Sequence, residues 1–159
     1  MRVEIITDSA SDITREEAER MGIRLIALLD TLEYLKRGGR ISKTTAFAGA
    51  LLSIKPVIAL EKGEVAVLGK ARGSKNGNNM LMKLTAREPI DFSKPHCLAY
   101  SGLDTSMLEK YVEDSRALYP CDPEELPRSS IGCIIGTHIG PGAIAAAFFV
   151  DVQPVFEKS

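Results

Sequence analysis

Two apolar runs, Pro56 to Leu60 and Val65 to Leu68, stand on either side of a charged glycine turn, Glu61-Lys-Gly-Glu64. So short a link joins antiparallel strands, because parallel strands need a crossover of about a dozen residues or more. Helix-like and strand-like segments surround this hairpin. The pattern therefore favours an α/β fold with a mixed, largely antiparallel sheet packed with helices over a purely parallel, doubly wound sheet.

The neighbouring segments have signals of their own. Ile23 to Leu28, after Gly22, reads as a strand. Leu32 and Leu35 share one face of a helix that starts near Asp30 and stops at Gly38-Gly39, with basic residues late. Another helix is expected from Ser42, ending before Pro56. Met80 to Arg87 and Ser106 to Leu118 read as helices, Pro95 to Tyr100 as a strand, and Pro120 to Ser130 as irregular. Near the end, Ile131 to Gly136 reads as a buried strand, Pro141 to Ala146 as a turn of helix, and Ala147 to Val152 as the last strand. Ahead of all this, Val3 to Thr7 reads as a strand, and Thr14 with Glu17 has capping-box spacing for a helix over Arg15 to Met21.

Composition sets outer bounds. With 45% hydrophobic and 26% charged residues, the chain is in the range of a globular domain. Twenty Lys+Arg against 21 Asp+Glu give a formal charge of −1, so no global field draws it to nucleic acid or an anionic membrane. Any basic site is local. Cys97, Cys121 and Cys133 are odd in number and lack the close pairing of a zinc knuckle or redox dithiol, which fits a reducing compartment. His96 and His138 lie far apart without nearby ligands, so neither a metal nor any other cofactor is expected. Charges interrupt the amino-terminal apolar residues, and no stretch reaches about 18 apolar residues. No membrane span and a cytoplasmic location are the expectations.

Three clusters can carry chemistry. The first is Gly136-Thr-His-Ile-Gly-Pro-Gly-Ala143. Read as a sharp turn opening a helix, it would present successive amides, including the backbone at Ile139-Gly140, to a carboxylate or phosphate, with Thr137 and His138 beside them. A tight turn with an exposed histidine explains it equally. The second, Lys36-Arg37-Gly38-Gly39-Arg40-Ile41-Ser42, offers arginine forks for an anion, or simply a solvated helix end. The third, Thr7-Asp8-Ser9-Ala10-Ser11-Asp12, is either a ligand loop at a strand end or a set of local turn bonds. Arg72-Gly-Ser-Lys75 adds a basic edge that reads as a docking edge or as a solvated hairpin exit.

Thr-Asp-Ser-Ala-Ser-Asp, Asp-Thr-Leu-Glu-Tyr-Leu-Lys-Arg-Gly-Gly-Arg-Ile-Ser and Ile-Gly-Thr-His-Ile-Gly-Pro-Gly-Ala, in that order, resemble the DegV family of bacterial fatty-acid-binding proteins. The resemblance implies two α/β domains with an acyl chain between them and a carboxylate held by hydroxyls around a histidine. Carried onto this chain, it implies a network of His138 and Thr137 with the adjoining backbone, Arg37, Arg40 and Ser42 nearby, and Thr7, Asp8 and Ser9 approaching from the first domain. It also implies that residues 1–28 are a remnant of that first domain and residues 29–159 the carboxy-terminal domain, since Leu28-Leu29 runs directly into the second. The implied function is a carrier, not an enzyme, which holds a long-chain fatty acid and presents it to a fatty acid kinase. Ile134, Ile135, Ala147, Phe148 and Phe149 are candidate walls of the acyl slot.

Two other readings compete with the carrier. An enzyme could use the glycine turn as an oxyanion site with His138 as general base. A truncated relative could fold without binding lipid, its exposed seam driving self-association.

Overall fold

The computed structural model describes residues 20–41, 54–61 and 64–151. The strand expected at Val3 to Thr7, nearly all of the helix after it, and the helix expected from Ser42 fall outside these residues.

Among the described residues, six strands form one sheet: β1 (Ile23–Leu28), β2 (Ile54–Glu61), β3 (Glu64–Arg72), β4 (Cys97–Tyr100), β5 (Arg128–Ser130) and β6 (Ile144–Phe149), in the order β3-β2-β1-β6-β4-β5. Every pairing is antiparallel except β4 with β5. The mixed, largely antiparallel α/β fold read from the hairpin is therefore the fold observed. β2 carries a register shift at Val57/Ile58, next to Pro56, whose missing N–H cannot serve a regular ladder.

The helices are α1 (Glu33–Arg37), α2 (Ser74–Thr85), α3 (Ser106–Asp114) and α4 (Cys133–Ile139), with short 3-10 turns at Arg116–Leu118 and Pro123–Glu125. Three sequence expectations are corrected. Residues 133–139 are helical, not strand; Pro141 and Gly142 form a turn that leads straight into β6; and β6 begins at Ile144, not Ala147. In addition, α2 begins at Ser74, well ahead of Met80.

Strand alternation divides the core in two. Ile26 and Leu28 of β1, Ile144, Ala146 and Phe148 of β6, and Leu98 of β4 face one side, where Leu81 of α2 and Leu108, Tyr111 and Val112 of α3 close over them. Each fully buried large side chain there contributes about 1.5–3 kcal/mol. Ala27, Leu29, Ile58, Ala143 and Ala145 face the other side, covered at one end by Leu35 of α1 and Ile139 of α4. Beyond those two helices Leu25, Val65, Val67 and Ala99 are only half-buried, and Leu60 is exposed. Among the described residues, one face of the sheet is closed and the other is apolar and only partly covered.

β1, grouped by the sequence with a first-domain remnant, sits in the middle of this sheet, paired on both edges with β2 and β6. Leu28 and Leu29, on either side of the expected boundary, are both fully buried.

Candidate functional site

α1 and α4 pack against each other over the covered end of the open face. Their contact is made by close approach at two glycines. At Gly38, which follows α1, an added Cβ would overlap the His138 imidazole; at Gly140, which follows α4, it would overlap the Tyr34 ring. Gly140 also has φ +77°, a conformation that other residues adopt only with strain. Each helix thus inserts one ring against the other's terminal glycine.

This interlock holds His138 in place. Its Nδ1 is buried without a hydrogen-bond partner among the described atoms. A buried ring nitrogen left unsatisfied is an exception in native structures.

The loop beyond α4 is tied down from two sides. The Gly142 amide donates to the Ser101 carbonyl at 2.8 Å, and the Ser101 amide donates to the Ala143 carbonyl at 2.9 Å. Asp30, ion-paired with Lys55, lies alongside Gly142. These contacts fix the exit from α4 against the starts of α1 and β2.

The anion cradle expected at Gly136 to Ala143 does not form. Gly136, Thr137 and His138 are inside α4, where the Gly136 amide donates to Gly132 and the Gly140 amide to Gly136, both at 2.8 Å. Pro141 has no amide to offer and that of Gly142 is committed to Ser101. The carbonyl end of a helix also carries partial negative charge, so an anion here must be held by side chains.

The other expected site residues divide. Arg40 follows α1 after Gly38-Gly39 and donates from its guanidinium at 3.0 Å to the carbonyl of Gly38, the glycine that receives His138. Arg37 is exposed and paired with Glu33 at 2.5 Å. Thr137 is exposed, and its hydroxyl donates back to the Ile134 carbonyl at 2.7 Å. Ile139 is a core residue. Thr7, Asp8, Ser9 and Ser42 lie outside the described residues.

Of the expected slot walls, Phe148 belongs to the closed core and Ile134 is 75% exposed on α4. Ile135, Ala147 and Phe149 are half-buried; Ile135 packs in the open-face cluster, and Ala147 and Phe149 follow Ala145 to that side by alternation. The sequence reading missed Tyr34 and Gly140 as partners and Ser101 as the tie of the loop. The pair of glycine-terminated helices was its available signal.

The profile of the family described as "Uncharacterised protein, DegV family" matches residues 23–151, beginning at the first residue of β1. A DegV domain-containing protein of Caldanaerobacter subterraneus is 36% identical over 131 residues, covering 81% of this chain and 45% of its own length. Protein DegV of Bacillus subtilis is 32% identical over 145 residues, covering 89% and 51%. Among solved structures, a fatty-acid-binding DegV family protein from Thermus thermophilus superposes with a TM-score of 0.62 at 29% identity, over 85% of this chain and 49% of that one. A DegV family protein from Eubacterium eligens loaded with heptadecanoic acid has a TM-score of 0.68 at 20% identity, over 85% and 48%, a likeness of fold. So has the Fatty Acid Kinase (Fak) B3 protein of Streptococcus pneumoniae loaded with linoleic acid, with a TM-score of 0.67 at 20% identity, over 84% and 47%.

This chain belongs to the DegV family. It spans about half the length of the curated relatives it matches.

Proposed function

We propose that this protein is a carrier for a long-chain fatty acid, with no catalytic step of its own, and that it offers the bound acid to a fatty acid kinase in the cytoplasm. The acyl tail lies along the partly open apolar face formed by Leu25, Val65, Val67, Ala147 and Phe149, and the carboxylate lies at the α1–α4 end, near His138. The observation that carries this reading is the His138 imidazole, locked against Gly38 with a buried, unpartnered Nδ1 at the end of an apolar sheet face. A long apolar wall ending in a few polar groups is what an amphiphile with one anionic end requires. The fatty acids bound by the solved relatives supply the ligand class.

Arg40, whose side chain returns to the Gly38 carbonyl, is the cation proposed to face the head group. Arg37 and Thr137 are proposed as rim contacts, and Thr7, Asp8, Ser9 and Ser42 as further polar contacts. The competing enzyme reading relied on a backbone oxyanion cradle, and the amides it needed are engaged in helix α4 and the loop after it.

Calorimetric titration of the delipidated chain with oleate tests the carrier reading. Saturable binding that weakens about tenfold in His138→Ala, in a variant that remains folded by circular dichroism, is the expected result. Failure of the wild-type chain to bind oleate favours a relative that folds without lipid.

A further inference from the structure

At the β3 edge of the sheet, β3 and α2 form a groove with a different chemistry. β3 is the last strand in the sheet order, and among the described residues it pairs only with β2, so its outer edge faces no described strand. Between β3 and α2 lies a groove of about 360 Å³, with Leu68, Met80 and Leu84 as its apolar lining and Asn76, Asn79, Lys83 and Arg87 as its polar one. Lys83 and Arg87 are exposed, and neither is in an ion pair among the described residues.

The sequence here is charged in one sense only. From Lys70 to Arg87 the chain holds Lys70, Arg72, Lys75, Lys83 and Arg87 and no Asp or Glu, within a protein of formal charge −1. Such a segment repels a second copy of itself and attracts an acidic partner. An open edge can accept an added strand through backbone hydrogen bonds, with alternate side chains falling into neighbouring pockets. Methionine suits a groove that must adapt its shape to an incoming side chain. No aromatic residue lines the groove, so nucleic acid bases would find no stacking platform.

We infer that the β3–α2 groove is a docking site for an acidic, extended segment of a partner protein. The segment adds as a strand to the outer edge of β3, sets its apolar side chains on Leu68, Met80 and Leu84, and directs its carboxylates to Lys83 and Arg87. This site is separate from the His138 end of the molecule and does not depend on lipid being bound.

The test uses the full chain and a fluorescein-labelled peptide of alternating Glu and Val, read by fluorescence anisotropy. Three results are expected: saturable binding, weakening of about tenfold or more in Lys83→Glu/Arg87→Glu, and similar weakening when alternate peptide amides are N-methylated. The N-methylated peptide probes strand addition on the unaltered protein, so that arm stands even if the double variant folds poorly. Absence of binding, a double variant that binds as the wild type does, or indifference to N-methylation would each overturn the inference. An oligothymidylate of equal charge that bound as tightly as the peptide would also overturn it, showing a general polyanion surface.

Discussion

The imidazole of His138 occupies the space that a side chain at Gly38 would need. This contact joins the ends of two helices and fixes where the buried Nδ1 points. It gives a direct way to disturb the proposed head-group site without touching the open face of the sheet.

Gly38→Ala has to move the imidazole or the helix that carries it. Overpacking of this kind costs about 1–3 kcal/mol, and the expected outcome is a folded protein with lower melting temperature and weakened oleate binding. Gly39→Ala is the control. Gly39 has φ +68° with nothing within 4 Å of an added Cβ, so the substitution strains the backbone without reaching His138. Its cost is about 1–2 kcal/mol, and titration of both variants should find oleate affinity at the wild-type value in Gly39→Ala and lowered in Gly38→Ala.

Gly140→Ala combines both penalties, a positive φ and an overlap with Tyr34. A loss of about 2–5 kcal/mol in denaturant unfolding is expected from strain and overpacking together. Tyr34→Ala in the same chain relieves the overlap and leaves the strain. A double-mutant cycle should therefore show coupling between the two positions; additive losses would mean that ring and glycine do not meet.

Arg37 and Arg40 are exposed, and among the described residues each is engaged only with its own helix or the turn after it. Exposed pairs of this kind contribute between roughly nothing and 1 kcal/mol. Arg40→Glu should barely change the melting temperature while weakening oleate binding in the same titration. A collapse of the fold would instead identify Arg40 as a structural tie.

The Tyr111 and Tyr119 hydroxyls meet at 3.1 Å inside the closed core, and burial pushes both phenols above the ordinary tyrosine range. In the unfolded chain they lose protons near the ordinary tyrosine value of 10.0, whereas the folded chain holds them. Stability from these groups is thus fully present below that pH and falls as pH rises beyond it. Tyrosinate absorbance from this pair should appear only together with loss of far-UV circular dichroism. Tyr111→Phe, which strands the Tyr119 hydroxyl, should cost about 1–3 kcal/mol at neutral pH.

Much of the sheet was legible because local and tertiary signals agreed. Ile23 to Leu28 is an apolar run bounded by Gly22 and Asp30, and it is a strand over those residues. The hairpin followed from its charged turn. The end of the chain was misread where they diverged. Ile134-Ile135 within a short apolar run fits a strand as well as a helix, and packing against α1 selects the helix, because only then does His138 reach Gly38. The amino end of α2 was missed for a related reason. Ser74 to Asn79 is rich in poor helix formers, but Asn78 is buried and donates to the Met107 carbonyl at 3.4 Å, a contact with α3 that local propensity does not contain. For the site, the sequence marked His138 and Arg40 but not the glycine interlock, which exists only once two distant helices meet.

Methyl-resolved NMR of the chain titrated with oleate tests the central claim most directly. The account predicts that the methyls of Leu25, Val65, Val67 and Ala147, on the open face, shift saturably, with the His138 ring protons shifting at the same oleate concentrations. Leu81, Leu98 and Leu108 of the closed core should be little changed. Shifts confined to the closed core, or none at any oleate concentration below micelle formation, would contradict it.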